Sequence, residues 1–152
     1  MDSARIILFI AGLCVITLTS CNNDKSSVPP VTCKILRQAG DCSSVPTLNT
    51  GELKIKSNGS FSLEGQYQAC YHKEAVSIQG QYQASSFSNG FNIELLATKI
   101  KGLGSSDFPA TIAVVTLDKS SLKGVINDIW ATIRTPIQNA KKRTIDIICV
   151  AN

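Results

Sequence analysis

The chain has 152 residues, of which 43% are hydrophobic, 17% charged and 6% aromatic, with six cysteines, one histidine and one tryptophan. That length allows one small domain, and a single histidine excludes any zinc site built on two or more His ligands. Fifteen basic against eleven acidic residues leave a formal net charge of +4, which supports solubility but not a nucleic-acid partner, whose binding needs a clustered basic stripe.

At the N-terminus, Arg5 and the initiator amine precede an apolar stretch from Ile6 to Leu18. As a helix this stretch reaches about 20 Å at ~1.5 Å per residue, short of the ~30 Å hydrocarbon core of a bilayer. It fits the core of a cleaved export signal better than a permanent span. Leu18-Thr19-Ser20-Cys21 follows directly. A charged start, a short apolar core and then an aliphatic residue, two small residues and a cysteine resemble the signal and lipobox of bacterial lipoproteins. The resemblance implies cleavage before Cys21, a diacylglycerol on its sulfur and usually acylation of its new amine. It also implies an address in the bacterial cell envelope, on a membrane through the lipid. Asn22, where an Asp favours inner-membrane retention in enteric-type bacteria, leans toward the outer membrane.

Residues 22–32 (NNDKSSVPPVT) are polar and broken by Pro29-Pro30, so they read as a flexible tether. The expected organisation is a signal peptide over 1–20, a lipidated cysteine and tether over 21–32, and a globular domain over 33–152.

Cys33, Cys42, Cys70 and Cys149 make an even set in an exported chain, and two disulfides are expected. No CxxC pair points to a metal, so neither a metal nor a cofactor is expected. Ile145, Ile147 and Cys149 share one strand face, whereas Cys70 continues the polar Ser62-Glu64-Gln66-Gln68 face of its own strand. A Cys70–Cys149 bond is therefore the least attractive pairing, and either Cys33 or Cys42 is expected to tie the start of the domain to Cys149.

Next along the chain is a repeat with a fifteen-residue offset, Ser60-Phe61-Ser62-Leu63-Glu64-Gly65-Gln66-Tyr67-Gln68-Ala69 and Ala75-Val76-Ser77-Ile78-Gln79-Gly80-Gln81-Tyr82-Gln83-Ala84. Both copies alternate apolar and polar residues, the period of half-buried strands. Gly65 and Gly80 fall at equivalent inward positions and point to a bend, a bulge or close backbone approach. Further strands are expected over 52–56, 90–98, 111–117 and 144–150, with turns at Asn58-Gly59, Asn89-Gly90 and residues 102–106.

Leu122, Val125, Ile126, Ile129, Trp130, Ile133 and Ile137 recur at helical spacing, with Ser120 or Ser121 as a cap and Pro136 as a limit. The rival reading is a pair of strands, favoured by Gly124 and the β-branched residues. The expected fold is mainly β with an α+β character: a curved antiparallel sheet or small barrel of five to seven strands, with one C-terminal amphipathic helix.

No credible catalytic constellation emerges. His72 falls between the repeated strands without the signature of a nucleophile elbow or zinc helix. Glu64, Glu74 and Glu94 offer a conceivable carboxylate pair, and a solvated sheet face accounts for Glu64 and Glu94. Gln66, Gln68, Gln81 and Gln83, with Ser62 and Ser77, are expected to form a polar patch on adjacent strands. Lys141-Lys142-Arg143, with Arg134 upstream, is the one basic cluster.

The expected function is that of a membrane-anchored, non-enzymatic binding or accessory protein for an envelope protein or polysaccharide. Membrane-bound lysozyme inhibitors of bacteria are similar in plan, being small disulfide-containing lipoproteins with antiparallel barrels, and Ser85 to Gly90 would then be a probing loop. The alternative is a cell-wall or lipid hydrolase using His72 or a carboxylate pair.

Overall fold

A computed structural model describes residues 28–36, 47–68, 70, 73–102, 111–128 and 144–152. Eight strands run through them: β1 (Val31–Ile35), β2 (Thr47–Ile55), β3 (Ser60–Gln68), β4 (Lys73–Phe87), β5 (Gly90–Lys101), β6 (Thr111–Asp118), β7 (Lys123–Asp128) and β8 (Thr144–Ala151). Each pairs antiparallel with its sequence neighbour, and β8 pairs with β1, which closes an up-and-down barrel.

The alternation in the sequence decides which side chains fill it. Phe61, Leu63 and Tyr67 of β3, Val76 and Ile78 of β4, and Phe91, Ile93 and Leu95 of β5 point inward and are buried. Leu53, Ile93, Leu95 and Ile126 reach 0% exposure, so the interior is an apolar core. The outward positions carry Lys34, Glu52, Lys54, Glu64, Gln79, Gln81, Gln83, Glu94 and Lys99, all exposed. This is the inverse of a bilayer-spanning barrel, whose outer band is apolar, so water is the solvent of this wall. Among the described residues no helix is long and apolar enough to cross a membrane.

Two strands depart from the sequence expectation. β1 begins at Val31, and Val28 and Val31 belong to the core, so ordered packing starts upstream of Cys33. The expected helix from Leu122 onward is not formed in its described part: Lys123–Asp128 is a strand, and the remaining positions, 129–137, lie outside the described residues. The reason is long-range pairing. β6 and β8 each present an edge that β7 fills, with Val115 opposite Ile126 and Ile126 opposite Ile145, all three buried. Gly124 permits this approach, because a Cβ there would overlap the carbonyl oxygen of Thr116. Val125 and Ile126 also suit a pleated surface better than a helix.

The serines expected to cap a helix close a β-turn instead. One carboxylate oxygen of Asp118 accepts hydrogen bonds from the backbone N–H and hydroxyl of both Ser120 and Ser121, at 2.7–2.9 Å. Leu122 then takes a left-handed conformation (φ 52°) as the chain turns into β7. These donors lower the Asp118 carboxyl from its ordinary 3.8 to about 2. A depressed carboxyl stabilises the folded turn fully above its unfolded value and ceases to do so as pH falls through the folded one. Amide hydrogen exchange at Ser120 and Ser121 is therefore expected to accelerate, relative to the other turns, between about pH 4 and pH 2. Unchanged relative protection across that window would refute the assignment.

The β1–β8 seam is fastened at several points. Cys33 and Cys149 face each other in the ladder and form a disulfide. The Cys149 N–H donates to the Leu122 carbonyl on the β7 side, which leaves Cys149 in a non-hydrogen-bonded pair with Cys33. Side chains approach most closely in such pairs. Beyond the disulfide, the Asn152 N–H donates to the Pro30 carbonyl, and the Thr32 hydroxyl donates to the Asn152 side-chain oxygen at 2.8 Å. The expectation that Cys33 or Cys42 bonds Cys149 resolves to Cys33.

Candidate functional site

An up-and-down barrel sorts its connections by end. The β2–β3, β4–β5 and β6–β7 turns (56–59, 88–89 and 119–122) lie at one end, together with the start of β1 and the end of β8. The other four connections, residues 36–46, 69–72, 102–110 and 129–143, leave from the opposite end. His72, Cys42, Arg134 and the Lys141-Lys142-Arg143 cluster lie outside the described residues, as do Cys14 and Cys21. Cys70 is disulfide-bonded.

The polar patch expected from the repeat is not assembled as one surface. Leu63 and Ile78, equivalent residues of the two copies, stand directly opposite each other. Antiparallel pairing makes the copies diverge from that point in both directions. Gln66 and Gln68 therefore face Ala75 and Lys73, while Gln81 faces Ser60 and Gln83 lies further on. Six residues separate Ala75 from Gln81 along β4, about 20 Å at ~3.3 Å per residue.

The carboxylates divide as well. Glu64 is opposite Ser77 and Glu94 is opposite Gln83, again six residues apart along β4 and on strands two places apart. The gap exceeds the roughly 5–10 Å that a glycosidase pair spans. Glu74 alternates with the outward Lys73 and Ala75 and so points to the other side of the sheet from Glu64.

Sequence reasoning missed one juxtaposition. Glu52 of β2 stands directly opposite Glu64 of β3 on the outer wall. Each carboxylate has a partner: Lys54 Nζ lies 2.8 Å from Glu52, and the Ser77 hydroxyl donates to Glu64 at 2.6 Å. The hydrogen bond to Glu52 and its charge hold the Lys54 ammonium above its ordinary value. These partners offset the repulsion of like charges placed opposite one another. Only the register, not the sequence spacing, brings Glu52 and Glu64 together. Both lie exposed on the outer wall of the barrel and form part of its polar surface.

The end with the short turns has more construction. The β3–β4 ladder stops at Ser60 and Gln81, but β4 continues with β5 to the Phe87–Gly90 pair, so this hairpin reaches past the β2–β3 turn. Its tip carries Phe87, 42% exposed. The ring lies over Gly90, where a Cβ would overlap it. The role of Gly90 is thus close approach in a strand, and Ser88 and Asn89 make the turn one residue earlier than expected. Lys119 braces the tip from the neighbouring turn: its N–H donates to the Asn89 carbonyl, its ammonium donates to the Phe87 carbonyl at 3.3 Å, and the ammonium sits 4.8 Å from the Phe91 ring centre. At the β2–β3 turn, Asn58 accepts from the N–H and hydroxyl of Ser60, and Gly59 takes φ 82°. The Tyr82 hydroxyl donates to the Lys56 carbonyl, tying this turn to β4, and burial pushes the Tyr82 phenol upward.

Among the described residues no group of three or more His, Cys, Asp or Glu side chains is placed to hold a metal ion. Compared with family models, with curated proteins and with solved structures, the chain matches none.

Proposed function

We propose that the chain is a lipid-anchored lipoprotein of the bacterial envelope, in the outer rather than the inner membrane. Its barrel serves as a non-enzymatic binding or accessory module for an envelope or extracellular macromolecule. The observation that carries this reading is the position of the lipobox relative to the barrel. Cys21 stands seven residues before Val28, at most about 25 Å of extended chain. Val28 and the start of β1 belong to the end with the short turns. An acylated Cys21 holds that end near the bilayer and turns the other end, with its four remaining connections, away from it. Connections displayed on a rigid scaffold are where recognition is usually built. Two or three acyl chains anchor far more firmly than the marginal binding of one.

Intact mass of the protein extracted by detergent from its host's membranes tests the reading. The expected result is loss of residues 1–20 and a gain of acyl mass on Cys21, with Cys33, Cys42, Cys70 and Cys149 protected from thiol labelling until reduction. With Cys33 joined to Cys149 and Cys70 bonded, peptide mapping is expected to recover a Cys42–Cys70 pair. An unacylated mass or a free thiol among the four overturns the address or the disulfide assignment, respectively. Cross-linking in native membranes that enriches no partner removes the binding role.

A further inference from the structure

The end of the barrel from which the chain leaves toward Cys21 carries an apolar and cationic surface. Among the described residues the exposed large hydrophobics are Phe87, Ile148 and Val150, and all three lie at or near this end. Phe87 tips the β4–β5 hairpin, whereas Val150, the penultimate residue of β8, and Ile148 two residues before it stand on the opposite wall of the barrel, four strands away. Lysines accompany them: Lys56 beside the β2–β3 turn, Lys119 in the β6–β7 turn, and Lys123 at the start of β7, directly opposite Ile148. Asp118 is the acidic residue of these turns, and one of its carboxylate oxygens is engaged by Ser120 and Ser121.

An aromatic ring held in place at a hairpin tip, with the Lys119 ammonium on its own residue's carbonyl and Lys56 and Lys123 at the same end of the barrel, has the composition of a membrane-interface contact, an apolar body at headgroup depth with cations against anionic lipid. The ring is pre-organised, since Gly90 seats it and Lys119 fixes the carbonyl of the same residue, so little conformational freedom is lost on contact. The chain that leads to Cys21 also emerges here and is short enough to keep this end close to the bilayer.

We infer that the turn end of the barrel docks on an anionic bilayer surface, with Phe87 in the interface and Lys56, Lys119 and Lys123 against lipid phosphates. The inference rests on the lipid anchor proposed above and adds an orientation to it: the barrel stands on its turns.

Hydrogen exchange of the full acylated protein tests this, comparing vesicles of phosphatidylcholine with vesicles that also contain phosphatidylglycerol. Amides of residues 86–89 and 119–121 are expected to slow on the anionic vesicles, while those at the start of β4 do not change. Phe87→Ser, and separately the joint Lys56→Gln, Lys119→Gln and Lys123→Gln variant, are expected to lose that difference. If the acylated protein floats with vesicles but shows no added protection, or protection only at the opposite end, docking is overturned and the anchor stands. Protection that instead rises with protein concentration in lipid-free detergent assigns the face to a second copy and overturns the bilayer. A chain that carries no acyl mass and does not float overturns both the anchor and the docking.

Discussion

Replacing Cys33 and Cys149 together by alanine is expected to cost about 4 kcal/mol of unfolding free energy, within the ~2–5 kcal/mol range for a native disulfide of a small exported domain. The bond joins residues 116 positions apart, so in the unfolded chain it closes a loop that contains almost the whole domain. In the folded barrel it lies across the seam between first and last strand, the one contact that turns a curved sheet into a closed one. Both cysteines are buried, at 1% and 4% exposure, so the alanine variant also leaves small voids. Reducing the unmodified protein keeps the sulfurs in place but also opens the Cys70 bond, so the loss that reduction causes in the double variant is subtracted to separate the two effects. Urea unfolding checks both, and a midpoint shift worth less than about 1 kcal/mol in the double variant would mean that β1 and β8 are held by their backbone ladder alone.

Gly80→Ala is expected to destabilise the barrel by about 3 kcal/mol, the upper part of the range for overpacking a filled interior. Gly80 is buried in β4, next to the register shift between Gln79 and Gly80 in the β4–β5 ladder. A methyl group there overlaps the carbonyl oxygen of Leu96 and approaches a ring carbon of Phe61 at 2.9 Å. The carbonyl is backbone in a neighbouring strand, so no rotamer change relieves the overlap. Its neighbour Gln81 points outward and is exposed, and Gln81→Ala is expected to change stability by no more than about 0.5 kcal/mol. Thermal unfolding of the two variants side by side checks the contrast. Equal effects would show that β4 is not pressed against β5 at this bulge.

The same glycine marks how much of the fold was legible beforehand. Gly65 and Gly80 stood out as inward glycines inside alternating strands, which predicts close approach in a curved sheet. The structure places Gly80 at the β4–β5 register shift and Gly65 opposite Gly51, where a Cβ would lie 2.8 Å from the Thr50 carbonyl oxygen. Alternation also predicted the inward faces of β3, β5 and β8, because side chains on a strand point to opposite sides whatever its partner. The helical expectation for β7 fails for the complementary reason. Val125 and Ile126 fit a helical stripe when the flanking residues are counted, and local periodicity carries no information about two distant edges, β6 and β8, that need a partner. The first residues of β1 resemble tether in sequence, because what makes them a strand is pairing with the distant β2 and β8.

The candidate surfaces followed the same division. The glutamines look like one patch when only the adjacency of the two strands is counted, whereas the register of the antiparallel hairpin sends its two copies in opposite directions from Leu63 and Ile78. Glu52 and Glu64, twelve positions apart in sequence, became neighbours only through the β2–β3 register. Phe87 falls within a suspected loop, but its bracing by Lys119 joins positions that the sequence keeps 32 residues apart.

By itself, then, the sequence determined the features that depend on near neighbours: the two-residue period of most strands, the turn at Asn58-Gly59 and the inward glycines. The tertiary structure alone decided strand number, closure, the choice of Cys33 as the partner of Cys149, and the gathering of Phe87, Val150 and the lysines at one end. The physical reason is that periodicity and turn chemistry act over a few bonds. Register and closure are fixed by hydrogen bonds and burial between residues as far apart as Val31 and Ala151.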